Sequence, residues 1–207
     1  MSAFTKSMLA LAKAVEELEQ LSASQEAKSL FMHLGAIHFV TVIECYFRDS
    51  LDAIFRLCRH EVFTPALGKL VKQKYSIQEL VELEAEGLHI LQIIPREMRF
   101  QSIEQISGAF DNFFPAGFIK EIRKRQYRFK GLESQIMEVN DKVLTDVAKL
   151  FSSRHELVHN PDEKYIRSAA KSYSAHLGSV WNFVFCANQT IEDFIGDNLK
   201  SNLRKKG

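Results

Sequence analysis

Apolar residues recur at three- and four-residue spacing along most of the chain, the period of a helix face, and no stretch sustains the period-two alternation of a strand. Over residues 2–21, Met8, Leu9, Leu11, Val15, Leu18 and Leu21 form one stripe with Glu and Lys on the other side, which predicts an amphipathic helix. Ser22-Ala23-Ser24 offers a cap, and a second helix is predicted over residues 25–59, a span without proline. Its centre, residues 36–43, is apolar almost all round and is expected in the middle of the fold. Glu44 follows directly, among Cys45, Phe47 and Leu51.

Residues 61–131 are less regular, and Pro65, Pro95 and Pro115 are read as helix starts or breaks. Short helices are predicted at 65–74, 77–93, 103–113 and 116–127, with Ser76-Ile77-Gln78-Glu79 as a capping box. The last of them carries Lys120, Arg123, Lys124, Arg125, Arg128 and Lys130, interleaved with Phe118, Tyr127 and Phe129. Residues 134–159 predict a strong helix, with Ile136, Val139, Val143, Leu144, Val147, Leu150, Phe151, Leu157 and Val158 as its buried stripe. Asn160-Pro161 ends it, because the residue before proline is pushed out of the helical region. A final helix is expected over 162–199. The expectation is one all-α domain over residues 1–207.

Composition narrows the picture. Hydrophobic residues make up 46% and charged residues 26% of the 207, as in a globular protein with a proper core. A net charge of +1 gives no global field for nucleic acid or membrane, so any basic patch is local. Cys45, Cys58 and Cys186 each fall in an apolar helical pattern and read as buried thiols of a reducing cytosol, with no metal-ligand spacing. The N-terminus does not read as a signal peptide and no apolar run is long enough to span a bilayer, so a cytoplasmic protein without membrane contact is expected.

The candidate chemistry lies in Ser153-Arg154-His155-Glu156-Leu157-Val158-His159-Asn160-Pro161. Read from His155, it matches the zinc-protease pattern H-E-x-x-H: two histidines four apart share a helix face and can share a metal, with Glu156 as general base. Such a site needs a third ligand, and His176 and Glu192 lack a recognisable spacing for it. Read from Arg154, the segment pairs a permanent cation, whose planar fork suits phosphate oxygens, with a histidine able to move protons near neutral pH. RNA transesterification needs such a pair and no metal. Five residues are 140° round a helix, so Arg154 and His159 converge only if the helix ends between them or a second copy completes the site.

Arg154 to His159 resembles the R-x4–6-H motif of the HEPN superfamily, with His155 as the polar residue that commonly follows its arginine. The preceding apolar helix, Leu157-Val158 and Asn160-Pro161 resemble the family's flanks, as does the stretch 39–55 with its acidic Glu44. The resemblance covers the helical frame, most specifically residues 144–162, and makes 61–131 a variable insert. It implies a HEPN-like helical bundle of long antiparallel helices. It also implies a metal-independent, cofactor-free endoribonuclease that works as a homodimer, similar to the ribonuclease toxins of prokaryotic defence and toxin–antitoxin systems, where an antitoxin protein can be a partner. On that resemblance Arg154 holds the scissile phosphate, His159 is general base or acid, His155 supports them, and Glu44 is a buried partner of the motif. Lys120, Arg123, Lys124, Arg125, Arg128 and Lys130 are the candidate RNA contacts. Two other readings stand beside it. One is a HEPN-like module that binds RNA, nucleotide or protein without cutting; the other is a zinc hydrolase using His155, Glu156 and His159.

Overall fold

Phe47 lies at the middle of the core, with the rings of Phe100, Phe110, Phe118 and Phe183 all within 6.3 Å of its own. Each such aromatic pair adds about 0.5–1.5 kcal/mol beyond the area it buries. One residue on the second predicted helix thus gathers the insert and the last helix around it. A computed structural model describes residues 24–70, 76–85, 87, 90–128, 136–159 and 163–200, with positions 10, 13 and 17 before them. Positions 10, 13 and 17 are helical; the rest of the first predicted helix, Asn160-Pro161 and the chain beyond Lys200 lie outside the described residues.

The architecture is all-α. In chain order the helices are α1 (Gln25–Leu57), α2 (His60–Leu70), α3 (Ile77–Ala85), α4 (Ile90–Glu97), α5 (Ile103–Phe110), α6 (Phe118–Arg123), α7 (Asp141–His159) and α8 (Glu163–Asp197). The core cluster draws on α1, α2, α4, α5, α6, α7 and α8. Among the described residues, no helix is long and apolar enough to cross a membrane.

The long helices are not all antiparallel. Met137 lies beside Cys186 and Asp146 beside Ser179, so α7 runs against α8. Tyr46 bonds Asn188 while Cys58 bridges Leu199, so α1 and α8 run in the same direction. Helix α7 therefore runs against both, and the three long helices succeed one another up, down and up.

Several boundaries differ from the periodic reading, each for a local reason. Pro65 and Pro95 sit inside α2 and α4. The bond each proline removes is outweighed by burial of Phe63, Ala66 and Leu70 in one helix and of Ile93 and Ile94 in the other. The capping box forms as expected, with the Ser76 N–H donating to Glu79 at 2.7 Å and the Glu79 N–H to the Ser76 hydroxyl at 3.2 Å. Helix α7 begins at Asp141 rather than 134, because residues 136–137 pair with 127–128 in a short antiparallel ladder, β1 with β2. The Asn140 side chain then caps the helix by accepting the Val143 N–H at 3.0 Å. Gly117 starts α6 at φ 95°, which favours glycine, and the Asp111 carboxylate accepts the Phe118 N–H at 2.6 Å.

Burial also departs from the pattern in places. Cys45 is exposed, whereas Cys58 and Cys186 are buried as expected. It shares the outer face of α1 with His38, Thr41 and Asp49, so only one side of the apolar centre is interior. Phe39, Val40 and Ile43 make that side. On the predicted stripe of residues 134–159, Val139, Val143, Val147, Leu150 and Phe151 are buried, but Ile136 and Val158 are exposed.

Candidate functional site

The site is built on the last two turns of α7. The buried stripe of this helix runs through Val143, Val147, Leu150 and Phe151, and Arg154 and Val158 stand at its next two positions. Arg154 therefore projects a cation from the edge of an apolar stripe. Val158, one turn on, runs past the end of the core and is 46% exposed.

The guanidinium Nε of Arg154 is sealed from solvent and has no hydrogen-bond partner; the same holds for Glu44 Oε1 and Arg48 Nε on α1. Leaving such an atom unpaired costs about 1–3 kcal/mol, so three of them mark polar groups kept inside against stability. Glu44 and Arg48 stand one turn apart on α1. No hydrogen bond joins Glu44 Oε1 to the motif, so Glu44 does not partner the motif through that atom. Arg48 went unforeseen in the sequence, although its place four residues after Glu44 on an apolar helix is a usable signal.

Arg154 opens onto a half-open cavity of about 540 Å³ between α1, α7 and the start of α5. Val40 and Phe151 supply apolar wall, and Arg154, His155 and Glu156 line it from α7. Gln101, Ser102, Glu104 and Gln105 close the insert side. They are fixed by their own capping bonds: Ser102 accepts the Gln105 N–H at 3.2 Å, and the Gln105 side chain accepts the Gln101 N–H at 2.8 Å. A hydrogen bond from Ser102 holds the Glu104 carboxyl below the usual range, helped by the helix backbone. These insert residues went unread in the sequence; the S-x-x-Q spacing of Ser102 and Gln105 announces the cap, and only the fold brings that cap to Arg154.

His155 and His159 are both exposed, with ring centroids 4.5 Å apart. Helix α7 continues through both, so it does not end between Arg154 and His159, and the two side chains leave the axis 140° apart. His155 lines the cavity with Arg154 and also touches His159, standing between the two. The histidine pair has the proximity that H-E-x-x-H chemistry requires. Among the described residues, however, no group of three or more His, Cys, Asp or Glu could hold a metal ion.

The basic residues of the insert stand elsewhere. Arg123 is paired with Asp141, Lys124 with Glu121 at 2.6 Å, and Arg125 with Asp193 at 2.5 Å. Lys120 is exposed; the side chain of Arg128 and all of Lys130 lie outside the described residues. Asp141 is the first residue of α7 and Arg154 lies thirteen residues on, so the cluster anchors about 20 Å from the motif at 1.5 Å per residue. The structure holds Arg123, Lys124 and Arg125 at the far end of α7 from Arg154 and His159.

Comparison of the chain with protein-family models, with curated proteins and with solved structures finds no match.

Proposed function

We propose that the chain is a HEPN-type endoribonuclease, cutting RNA without a metal at a site completed by a second copy of itself. One observation carries the reading. Arg154 is held at a cavity with an unpaired Nε, while His159, five residues on in unbroken helix, leaves the axis 140° away. Within one chain the phosphate-holding cation and the proton-moving group do not share a face. A two-fold copy docked over this end of α7 brings the Arg154 of one chain to the His159 of the other, and it covers exposed Val158 in doing so.

In such a cleft His159 takes the proton of a 2′-hydroxyl, whose oxygen attacks the adjacent phosphorus. The bond from phosphorus to the 5′ oxygen breaks, and that oxygen takes a proton from water, which the protonated His159 restores. Arg154 holds the charge that builds on the phosphate. His155 orients the pair, and the products carry a 2′,3′-cyclic phosphate and a 5′-hydroxyl. Such an activity suits a defence effector or the toxin of a toxin–antitoxin pair, restrained by an antitoxin protein.

The test is cleavage of mixed RNA in EDTA by the wild type beside Arg154→Ala and His159→Ala. Cleavage that both variants lose supports the reading. No cleavage under any condition reduces the chain to a binding module, and activity that EDTA abolishes and zinc restores moves the chemistry to His155, Glu156 and His159.

A further inference from the structure

A second cavity, about 580 Å³ and also half open, lies on the far side of the first turn of α5. It shares Glu104 and Gln105 with the cavity at Arg154, so one helical turn is the wall between them. Each has the size of a small-ligand site, within the range of roughly 300–1,000 Å³. Lys69 and Arg99 line the second cavity, both exposed, and neither forms an ion pair among the described residues. Of the cations considered for RNA in the sequence, by contrast, Arg123, Lys124 and Arg125 are already paired with carboxylates.

We infer that single-stranded RNA runs from Arg154 over the first turn of α5 into this second cavity, where Lys69 and Arg99 hold its phosphates. The inference rests on the ribonuclease reading, which it extends from the cut bond to the path of the strand. Two cavities with a shared rim offer adjoining places for splayed bases, which a single strand presents and a duplex does not. The Gln105 side chain spends its oxygen on the Gln101 N–H, so its amide hydrogens remain to donate to a base edge. Glu104 in the shared wall can only accept hydrogen bonds while ionised, which suits a base amino group, repels phosphate and keeps this track less cationic than a general nucleic-acid groove.

The test is fluorescence anisotropy of 2′-O-methyl RNA octamers, which lack the attacking hydroxyl, on the full chain across a salt series. Lys69→Ala/Arg99→Ala is expected to weaken binding tenfold or more. It should also flatten the slope of log affinity against log salt by about 1.4, since each phosphate contact on a single strand contributes about 0.7. Lys120→Ala/Lys124→Ala is expected to change affinity less than about twofold, with circular dichroism confirming that all variants are folded. Wild type that binds no octamer at low salt overturns the path, as does equal loss from both double variants or no loss from the first. Cleavage in EDTA, measured in parallel, separates the two claims. Arg154-dependent cleavage with octamer binding indifferent to Lys69 and Arg99 removes the path and keeps the nuclease. Binding that depends on Lys69 and Arg99 without cleavage removes the nuclease and keeps the strand groove.

Discussion

The imidazoles of His155 and His159 stand 4.5 Å apart, yet His155 lines the Arg154 cavity and His159 does not. On the proposed ribonuclease reading the two histidines therefore have separable roles. His159→Ala is expected to lower the rate of RNA cleavage by about 10²–10⁴-fold, the usual contribution of a general acid or base. His155→Ala is expected to lower it about tenfold, since it removes the ring beside His159 and leaves the proton-moving group in place. Single-turnover kinetics in EDTA over pH 5–9 check both; equal loss from the two variants would reassign the base.

Arg154 makes a different kind of prediction, because it occupies a buried-stripe position with its Nε unpaired. Arg154→Met keeps the length, removes an uncompensated polar group and continues the stripe of Val147 and Phe151. It is expected to stabilise the fold by about 1–2 kcal/mol while abolishing cleavage. For a chain of this size that is roughly 2–4 °C in Tm per kcal/mol, read by calorimetry. Arg154→Lys is expected to lose activity nearly as fully as Arg154→Ala, because an ammonium lacks the planar fork. A destabilised Arg154→Met would mean that the guanidinium stabilises the fold, which runs against its proposed role.

The helical class and the long elements were legible because their signal is periodic burial, which one strand of letters carries. Val143, Val147, Leu150 and Phe151 could be read as one stripe and are one. What the letters do not carry is where a stripe outruns its neighbours. Val158 and Cys45 look as interior as Val147 and Cys58, and they are exposed because nothing described packs over those positions. The motif residues were visible at fixed spacing. Gln101, Ser102 and Gln105 were not, because they reach Arg154 across about fifty residues of sequence through the packing of α5 against α7.

Ser179→Ala tests how much the α7–α8 contact depends on a polar link. The Asp146 side chain is nearly sealed from solvent, and it accepts from the Ser179 hydroxyl at 2.7 Å and from Lys142 at 2.8 Å. Removing the hydroxyl leaves a buried carboxylate short of one donor, at an expected cost of about 1–3 kcal/mol in urea unfolding. Asp146→Asn, which keeps the shape, should cost less if the hydroxyl rather than the charge is what matters. A neutral Ser179→Ala would place the stabilisation in the apolar contacts alone.

Thiol chemistry separates the three cysteines. Cys45 is exposed, while burial, and then the charge of Glu138, pushes the Cys186 thiol up to about 11; burial also raises Cys58. Iodoacetamide at pH 8 is expected to label one thiol per native chain, and all three in denaturant, counted by mass spectrometry. The sign follows for stability. An acid that keeps its proton longer when folded contributes fully below its unfolded value near 9, and the contribution is lost as the pH climbs towards 11. Unfolding midpoints should therefore fall over that alkaline range, and Cys186→Ala should flatten the fall.

The composite site can be tested without a structure of the dimer. If Arg154 acts with the His159 of a second chain, Arg154→Ala and His159→Ala each destroy both sites of their own homodimer. A mixed dimer is different, because one of its two sites receives Arg154 from one chain and His159 from the other. Random exchange makes half the dimers mixed, and each holds one intact site of two, so mixing two inactive proteins should restore about a quarter of wild-type cleavage. Denaturing and refolding the variants together allows the exchange, and refolding each alone is the control. Continued silence after verified exchange would mean that Arg154 and His159 act within one chain, where α7 holds them 140° apart, and the two-copy site would have to be abandoned.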